Sequence, residues 1–103
     1  MNDWQITREY GYLDHSIVYK KTYMPQNLKV NVIFNFSTKK IHIIPYNQHM
    51  MLNYIYDLLF KEDGYPLTFS KEDIIDSDFY QIKEFLLDID QKIDKMMNLK
   101  AFI

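Results

Sequence analysis

The stretch KVNVIFNFSTKKIHIIP, residues 29–45, constrains the fold of this chain more than any other segment. Apolar residues occupy every second position from Val30 to Phe36, and the alternation resumes at Ile41 and Ile43 after four polar residues. Successive side chains of a β-strand point to opposite faces of the sheet. The pattern therefore predicts a hairpin with one apolar face and one polar face.

Shorter alternating runs precede this hairpin and extend the predicted sheet. Gly11 and Asp14 mark one turn, and the sequence Pro25-Gln26-Asn27 marks another, because these residue types favour turn geometry. Consecutive strands joined by short loops pair most simply as an antiparallel meander. We predict four strands, at residues 4–10, 16–24, 28–36 and 41–44.

The hydrophobic period changes at Pro45 from two to about 3.6 residues, which is the period of a helix. Ser70 and Asp73 resemble a capping box that opens a short helical turn. The expected fold class is α+β, with the four-stranded meander followed by two main helices packed on one face of the sheet. The main helices are predicted at 48–61 and 78–97, the short turn at 71–76, and the whole chain, 1–103, as one domain made of a meander (1–45) and a helical half (46–103).

The apolar positions of these elements define the predicted core. They are Val30, Val32, Phe34, Phe36, Ile41, Ile43, Ile55, Leu58, Leu59, Ile82, Leu86, Ile89 and Ile93. In the last helix, the apolar residues between Phe79 and Met96 follow steps of 3 and 4, which is a heptad seam. We expect this seam to pack against the sheet. The alternative is that residues 79–96 pair with a second copy of the chain.

Composition narrows the class of protein. Of the 103 residues, 48% are hydrophobic and 17% aromatic, which excludes an intrinsically disordered chain. No apolar run approaches the roughly 18 residues of a membrane span, and the N-terminal residues lack the pattern of a secretory signal. We therefore expect a cytoplasmic protein. The many Ile, Lys and Tyr codons are AT-rich, which suggests a low-GC bacterium, a phage or another mobile element.

The sequence contains no convincing catalytic or metal-binding motif. Asp14, His15 and Ser16 are the residue types of a hydrolase triad, but adjacent side chains cannot form its hydrogen-bonded relay. No two histidines have the i, i+4 spacing of a helical zinc site, and there is no cysteine. The glycines are isolated, so no phosphate-binding loop is present. We expect a non-enzymatic protein without a metal or a cofactor.

The charge is unevenly distributed along the chain. Residues 1–50 have a net charge of +3 and residues 51–103 a net charge of −5. Acidic side chains with nearby tyrosines suit an interface with a basic partner protein, as in a small regulator or inhibitor of a larger, nucleic-acid-handling protein. The predicted partner-binding residues are Asp76, Asp78, Glu84, Asp88, Asp90 and Asp94, with Tyr54, Tyr56, Tyr65 and Tyr80 as apolar anchors.

The basic half of the chain supports an alternative function. Single-stranded nucleic acid binds where aromatic rings that stack on bases lie beside lysine or arginine. The second predicted strand combines both residue types. For this alternative, the predicted nucleic-acid-binding residues are Arg8, Tyr19, Lys20, Lys21, Tyr23, Lys29 and Lys40.

The heptad seam gives a first testable prediction. If the protein self-associates, residues 79–96 form the contact, and Ile89→Asp splits the oligomer because a carboxylate cannot be buried unpaired at an apolar interface. Static light scattering on the unmodified protein comes first, since the same change destabilises a monomer whose seam is buried internally. A monomer at high micromolar concentration rules out self-association through this helix.

Overall fold

The computed structural model describes residues 4–7, 15–24, 27–46, 59–76 and 78–100. The chain divides into two compact units, Met1–Thr68 and Phe69–Ile103. The strands are β1 (Gln5–Thr7), β2 (Ser16–Tyr23), β3 (Leu28–Asn35), β4 (Lys40–Tyr46) and β5 (Tyr65–Pro66), followed by the helices α1 (Lys71–Ile75) and α2 (Tyr80–Lys100). An α+β fold with an antiparallel sheet is thereby confirmed.

The sheet has five strands in the order β1-β2-β3-β4-β5, and every neighbouring pair is antiparallel. The fifth strand was not predicted because its two residues are too few to establish a period. β4 also continues past the predicted end, with Pro45 opposite Val30 and Tyr46 opposite Lys29. β5 pairs with Lys40 and Ile41 of β4. Pro45 lies beyond this paired region, so its missing N–H costs no hydrogen bond to β5.

The pairing register sorts side chains into two faces, since residues directly opposite each other in an antiparallel pair lie on the same face. Phe34 is opposite Ile17 on one side and Ile41 on the other, and its ring meets that of Tyr19 edge to face at 5.7 Å. This apolar face holds the core of the first unit. Its buried members are Ile17, Tyr19, Tyr23, Leu28, Val30, Val32, Phe34 and Ile41.

The β3–β4 hairpin closes through residues 36–39 with a side-chain cap. The Asn35 side-chain oxygen accepts hydrogen bonds from the Ser37 and Thr38 amides, both at 3.0 Å. Lys39 then adopts a left-handed φ of 60°. An asparagine that bonds the backbone two and three residues onward fixes such a turn, and the turn in turn fixes the register of the hairpin.

The second unit contains both helices. The capping box at α1 is confirmed: the Ser70 hydroxyl accepts from the Asp73 amide, and the Asp73 carboxylate accepts from the Ser70 amide, each at 3.1 Å. α2 begins at Tyr80 rather than 78 because the Asp76 carboxylate accepts from the Asp78 amide at 3.0 Å and holds a turn there. The predicted helix at 48–61 cannot be compared, because residues 47–58 are outside the described part of the chain.

Most of the predicted core is confirmed where it can be compared. Val30, Val32, Phe34, Ile41, Ile82, Leu86, Ile89 and Ile93 are buried, whereas Phe36, Ile43 and Leu59 are half-buried and Ile55 and Leu58 lie outside the described residues. The heptad seam of α2 is buried from Ile82 to Met96 in the single chain. Buried residues that the prediction left out include Val18, Leu28, Phe60 and Ile74.

Gly64 gives a prediction about stability. It has a φ of +83°, and a Cβ there would lie 2.8 Å from the His42 ring and 3.1 Å from the Ile41 carbonyl oxygen. We expect Gly64→Ala to lower the free energy of unfolding by about 1–3 kcal/mol, through backbone strain and this contact. Urea denaturation measures the change.

His42→Ala provides the matched background for this variant. Removal of the ring leaves only the strained φ and the approach to the Ile41 carbonyl, so Gly64→Ala should be less costly in the His42→Ala protein. Equal stability of Gly64→Ala and the unmodified protein would contradict the observed packing.

Candidate functional site

The exposed side of α2 carries two large apolar side chains on one line. Tyr80 is 69% exposed and Leu87 is 55% exposed. Residues seven apart on a helix lie on the same face, about 10 Å apart along its axis. Glu84 lies between them and accepts a hydrogen bond from the Tyr80 hydroxyl at 2.8 Å. We call Tyr80, Glu84 and Leu87 the helix strip.

The contact within the helix strip changes the acidity of the tyrosine. The hydrogen bond to Glu84 raises the pKa of Tyr80 above 10.0, and the negative charge of Glu84 and slight desolvation act in the same direction. Each effect favours the protonated phenol over the phenolate. The ring is therefore held as a neutral hydrogen-bond donor beside a carboxylate, on an open surface.

The carboxylates around the strip have local partners. Asp78 forms an ion pair with Lys83 at 3.2 Å, and Asp88 forms one with Lys92 at 3.5 Å. Exposed ion pairs of this kind contribute about 0–1 kcal/mol to stability, so a partner protein could replace them at little cost. Asp76 caps the turn before α2 as described above.

The acidic charge is concentrated at the start of the second unit. Residues 69–88 contain six carboxylates and two lysines, whereas residues 89–103 contain two carboxylates and three lysines. Of the predicted partner-binding acids, Asp76, Asp78, Glu84 and Asp88 belong to the acidic segment. Asp90 and Asp94 lie in the segment where lysines outnumber acids.

The predicted tyrosine anchors are not one cluster in the described residues. Tyr80 lies on the helix strip, whereas Tyr65 is half-buried in β5 with the Lys61 ammonium group 5.3 Å from its ring centre. Tyr54 and Tyr56 lie outside the described residues. Leu87 and the exposed Ile75 were missed as anchors, because a sequence pattern cannot tell an exposed apolar side chain from a buried one.

The polar face of the sheet forms a shallow concavity of about 350 Å³. The register places Lys20 between Gln5 and Asn31, while Lys29 lies between Thr22 and Tyr46. We call these residues the lysine face. Its members are Gln5, Lys20, Thr22, Lys29, Asn31 and Tyr46, and Lys21, which has the opposite parity, also borders the concavity.

The described residues of this part of the sheet are rich in positive charge. The described residues between 4 and 46 include five lysines and no aspartate or glutamate. Asn31 adds an acceptor: its side-chain oxygen is shielded from solvent and has no hydrogen-bond partner among the described residues. A buried acceptor without a donor costs about 1–3 kcal/mol of stability.

The residues predicted to bind nucleic acid separate onto different parts of the sheet. Tyr19 and Tyr23 are 2% and 8% exposed on the apolar face, so neither ring is open to a base. The Lys21 ammonium group lies on that side too, 5.5 Å from the Trp4 ring centre and 5.0 Å from that of Tyr23. Lys20 and Lys29 are on the lysine face.

The remaining predicted residues lie farther away or cannot be placed. Lys40 is opposite Asn35, at the other end of the hairpin from Tyr46, and Arg8 lies outside the described residues. Tyr46 is the exposed ring beside Lys29, at 42% exposure. Tyr46 was missed because the fourth strand was predicted to end at residue 44. Had the strand been predicted to continue, the parity that Tyr46 shares with His42 and Ile44 would have placed it on this face.

The described residues were also compared with the requirements of a metal site and of a membrane span, and the chain with known proteins. Within the described residues, no three His, Asp or Glu side chains converge to hold a metal ion. No helix in this part of the chain is long and apolar enough to cross a membrane. The chain matches no family model, no curated protein and no solved structure.

The Tyr80–Glu84 contact gives a pH prediction. Glu84→Ala removes both the hydrogen bond and the charge, so the pKa of Tyr80 should fall toward its ordinary value of 10.0. Because the folded-state pKa is raised, the contact stabilises the protein below the ordinary tyrosine pKa and is lost as the pH rises through the raised value. NMR titration of 13C-labelled tyrosine follows Tyr80 directly.

Asp88→Ala is the matched control for this titration. It removes a carboxylate from the same helix, about 12 Å along the axis from Tyr80. The pKa of Tyr80 should not respond to it. An equal fall in both variants would assign the shift to the general charge of the helix instead of the Glu84 contact.

Proposed function

We propose that this protein is a non-enzymatic protein-binding module that binds a basic partner through the helix strip and the carboxylates around it. The observation that carries the proposal is the pair of exposed apolar side chains, Tyr80 and Leu87, inside an acidic segment of the chain. A regulator or inhibitor of a nucleic-acid-handling protein is the role that we favour. The predicted packing of the helices on one face of the sheet stays a prediction, and the interface does not require it.

The apolar part of the interface would supply most of the affinity. Tyrosine is enriched among the few residues that dominate protein interfaces, because its ring buries a large area with little loss of side-chain freedom. Leu87, one helical repeat farther along the same face, gives a second anchor. Ile75, 45% exposed, lies in α1 within the same acidic segment.

The carboxylates would select the partner and speed its approach. Residues 69–88 have a net charge of −4, so a partner with exposed lysines or arginines would be attracted over a distance set by the ionic strength. Asp76, Asp78, Glu84 and Asp88 belong to this acidic group. A groove that normally holds nucleic acid is a surface of the required charge.

Affinity capture tests the proposal. The tagged full-length protein is incubated with a lysate of the organism that encodes it, beside a Tyr80→Ser, Leu87→Ser double variant. We expect a basic protein that is enriched by the unmodified chain and at least 10-fold depleted with the double variant, because both anchors are lost. Quantitative mass spectrometry gives the ratio.

Two charge reversals on the same helix provide matched controls. Glu84→Lys should slow association with the captured partner at low salt, whereas Asp94→Lys, the same change outside the acidic segment, should alter the rate much less. Stopped-flow or biolayer measurements at two salt concentrations compare them. Capture that is equal with the unmodified chain and the double variant would refute the helix strip as the interface.

A further inference from the structure

The lysine face combines three features that a single unit of nucleic acid requires. It has cations at Lys20 and Lys29, amides at Gln5 and Asn31, and an exposed ring at Tyr46. These residues come from four different strands, and the register of the sheet brings them to one concavity. They all belong to the first unit, and none of them belongs to the helix strip.

Each feature matches a different part of a nucleotide. Ammonium groups attract phosphate, and the described residues of β1–β4 contain no carboxylate. An aromatic ring offers a stacking surface to any base. An asparagine amide can donate to and accept from a base edge, as in its paired hydrogen bonds to adenine.

The position of Tyr46 favours a single strand over a duplex. Lys29 is directly opposite Tyr46 on the adjacent strand, so a base on the ring would keep its phosphate within reach of an ammonium group. A double helix hides the faces of its bases, whereas a single strand exposes them. A volume of about 350 Å³ is at the small end of the range for ligand sites, so we assign one nucleotide unit to it.

We propose that the lysine face binds one nucleotide unit of single-stranded nucleic acid, with its base on Tyr46 and its phosphate at Lys29 and Lys20. The side chains of Gln5 and Asn31 line the concavity beside the base. Neighbouring nucleotides follow the sheet outside the concavity. This binding mode uses lysines and a tyrosine of the sheet alone.

Fluorescence anisotropy with labelled 12-nucleotide single strands, dT12 and dA12, tests the proposal on the full chain. We expect Tyr46→Ala to weaken binding roughly 5- to 100-fold and Tyr46→Phe to retain it, since stacking requires the ring and not the hydroxyl. With two lysine contacts, the logarithm of affinity should fall with the logarithm of salt concentration at a slope of about −1.4.

Lys39→Glu is the charge-matched control for Lys29→Glu. Both reverse one exposed lysine, but Lys39 lies in the turn at the other end of the hairpin, about 20 Å from Lys29 along the strands. Lys29→Glu should weaken binding at least five times more than Lys39→Glu. Thermal melts confirm that each variant is folded before binding is compared.

Four outcomes would overturn the proposal. Absence of binding to either strand at low salt removes it directly. Equal effects of Lys29→Glu and Lys39→Glu, with no effect of Tyr46→Ala, would assign the binding to general charge attraction. Competition by free AMP as strong as that by unlabelled dA12 would make the concavity a site for small nucleotides, and equal affinity for a 12-base-pair duplex would contradict recognition of a single strand.

Discussion

The antiparallel register of β2, β3 and β4 is the constraint on which the candidate surfaces of the first unit depend. Because side chains alternate between faces, a shift of one residue in any pair would exchange its apolar and polar sets. The observed register puts Phe34 between Ile17 and Ile41, and Lys29 between Thr22 and Tyr46. Burial of the apolar side chains on one face therefore places the lysines and Tyr46 on the opposite face.

The two candidate surfaces obtain opposite charge in different ways. On the sheet, lysines occupy the polar parity of strands that contain no carboxylate among their described residues. In the second unit, carboxylates are used to cap α1 and to hold the turn before α2, so the acidic segment arises partly from the needs of helix termini. The carboxylates that accept these backbone hydrogen bonds still contribute to the negative electrostatic potential that a partner protein encounters.

The sequence was sufficient for the elements whose period is long and regular. β3 and α2 have one apolar residue at every repeat, and the capping box of α1 is a local motif, so all three could be predicted. β5 could not, because two residues contain no period and its pairing with Lys40 and Ile41 is nonlocal. Val18 has the same parity as Lys20 and is nevertheless buried, because burial depends on the segments that cover a strand as well as on its parity.

The candidate site residues divide in the same way. Lys20 and Lys29 could be assigned to a face from parity alone, whereas the burial of Tyr19 and Tyr23 follows from neighbours across the sheet. Tyr46 depended on the end of β4, and strand ends are the least predictable feature of a sequence because turn and strand preferences compete there. In the helix strip, Tyr80 was predicted as an anchor and the buried seam of α2 was predicted from its period, whereas Leu87 was identified as an exposed anchor only in the structure.

The register itself is the most direct test of this account. NMR of the uniformly labelled protein measures cross-strand nuclear Overhauser contacts between backbone protons of β2, β3 and β4. The account predicts contacts that pair Lys20 with Asn31, Asn31 with Ile44, and Lys29 with Tyr46. Contacts that pair Tyr46 with Leu28 or Val30 instead would move the ring to the other face and contradict the lysine face as a binding surface.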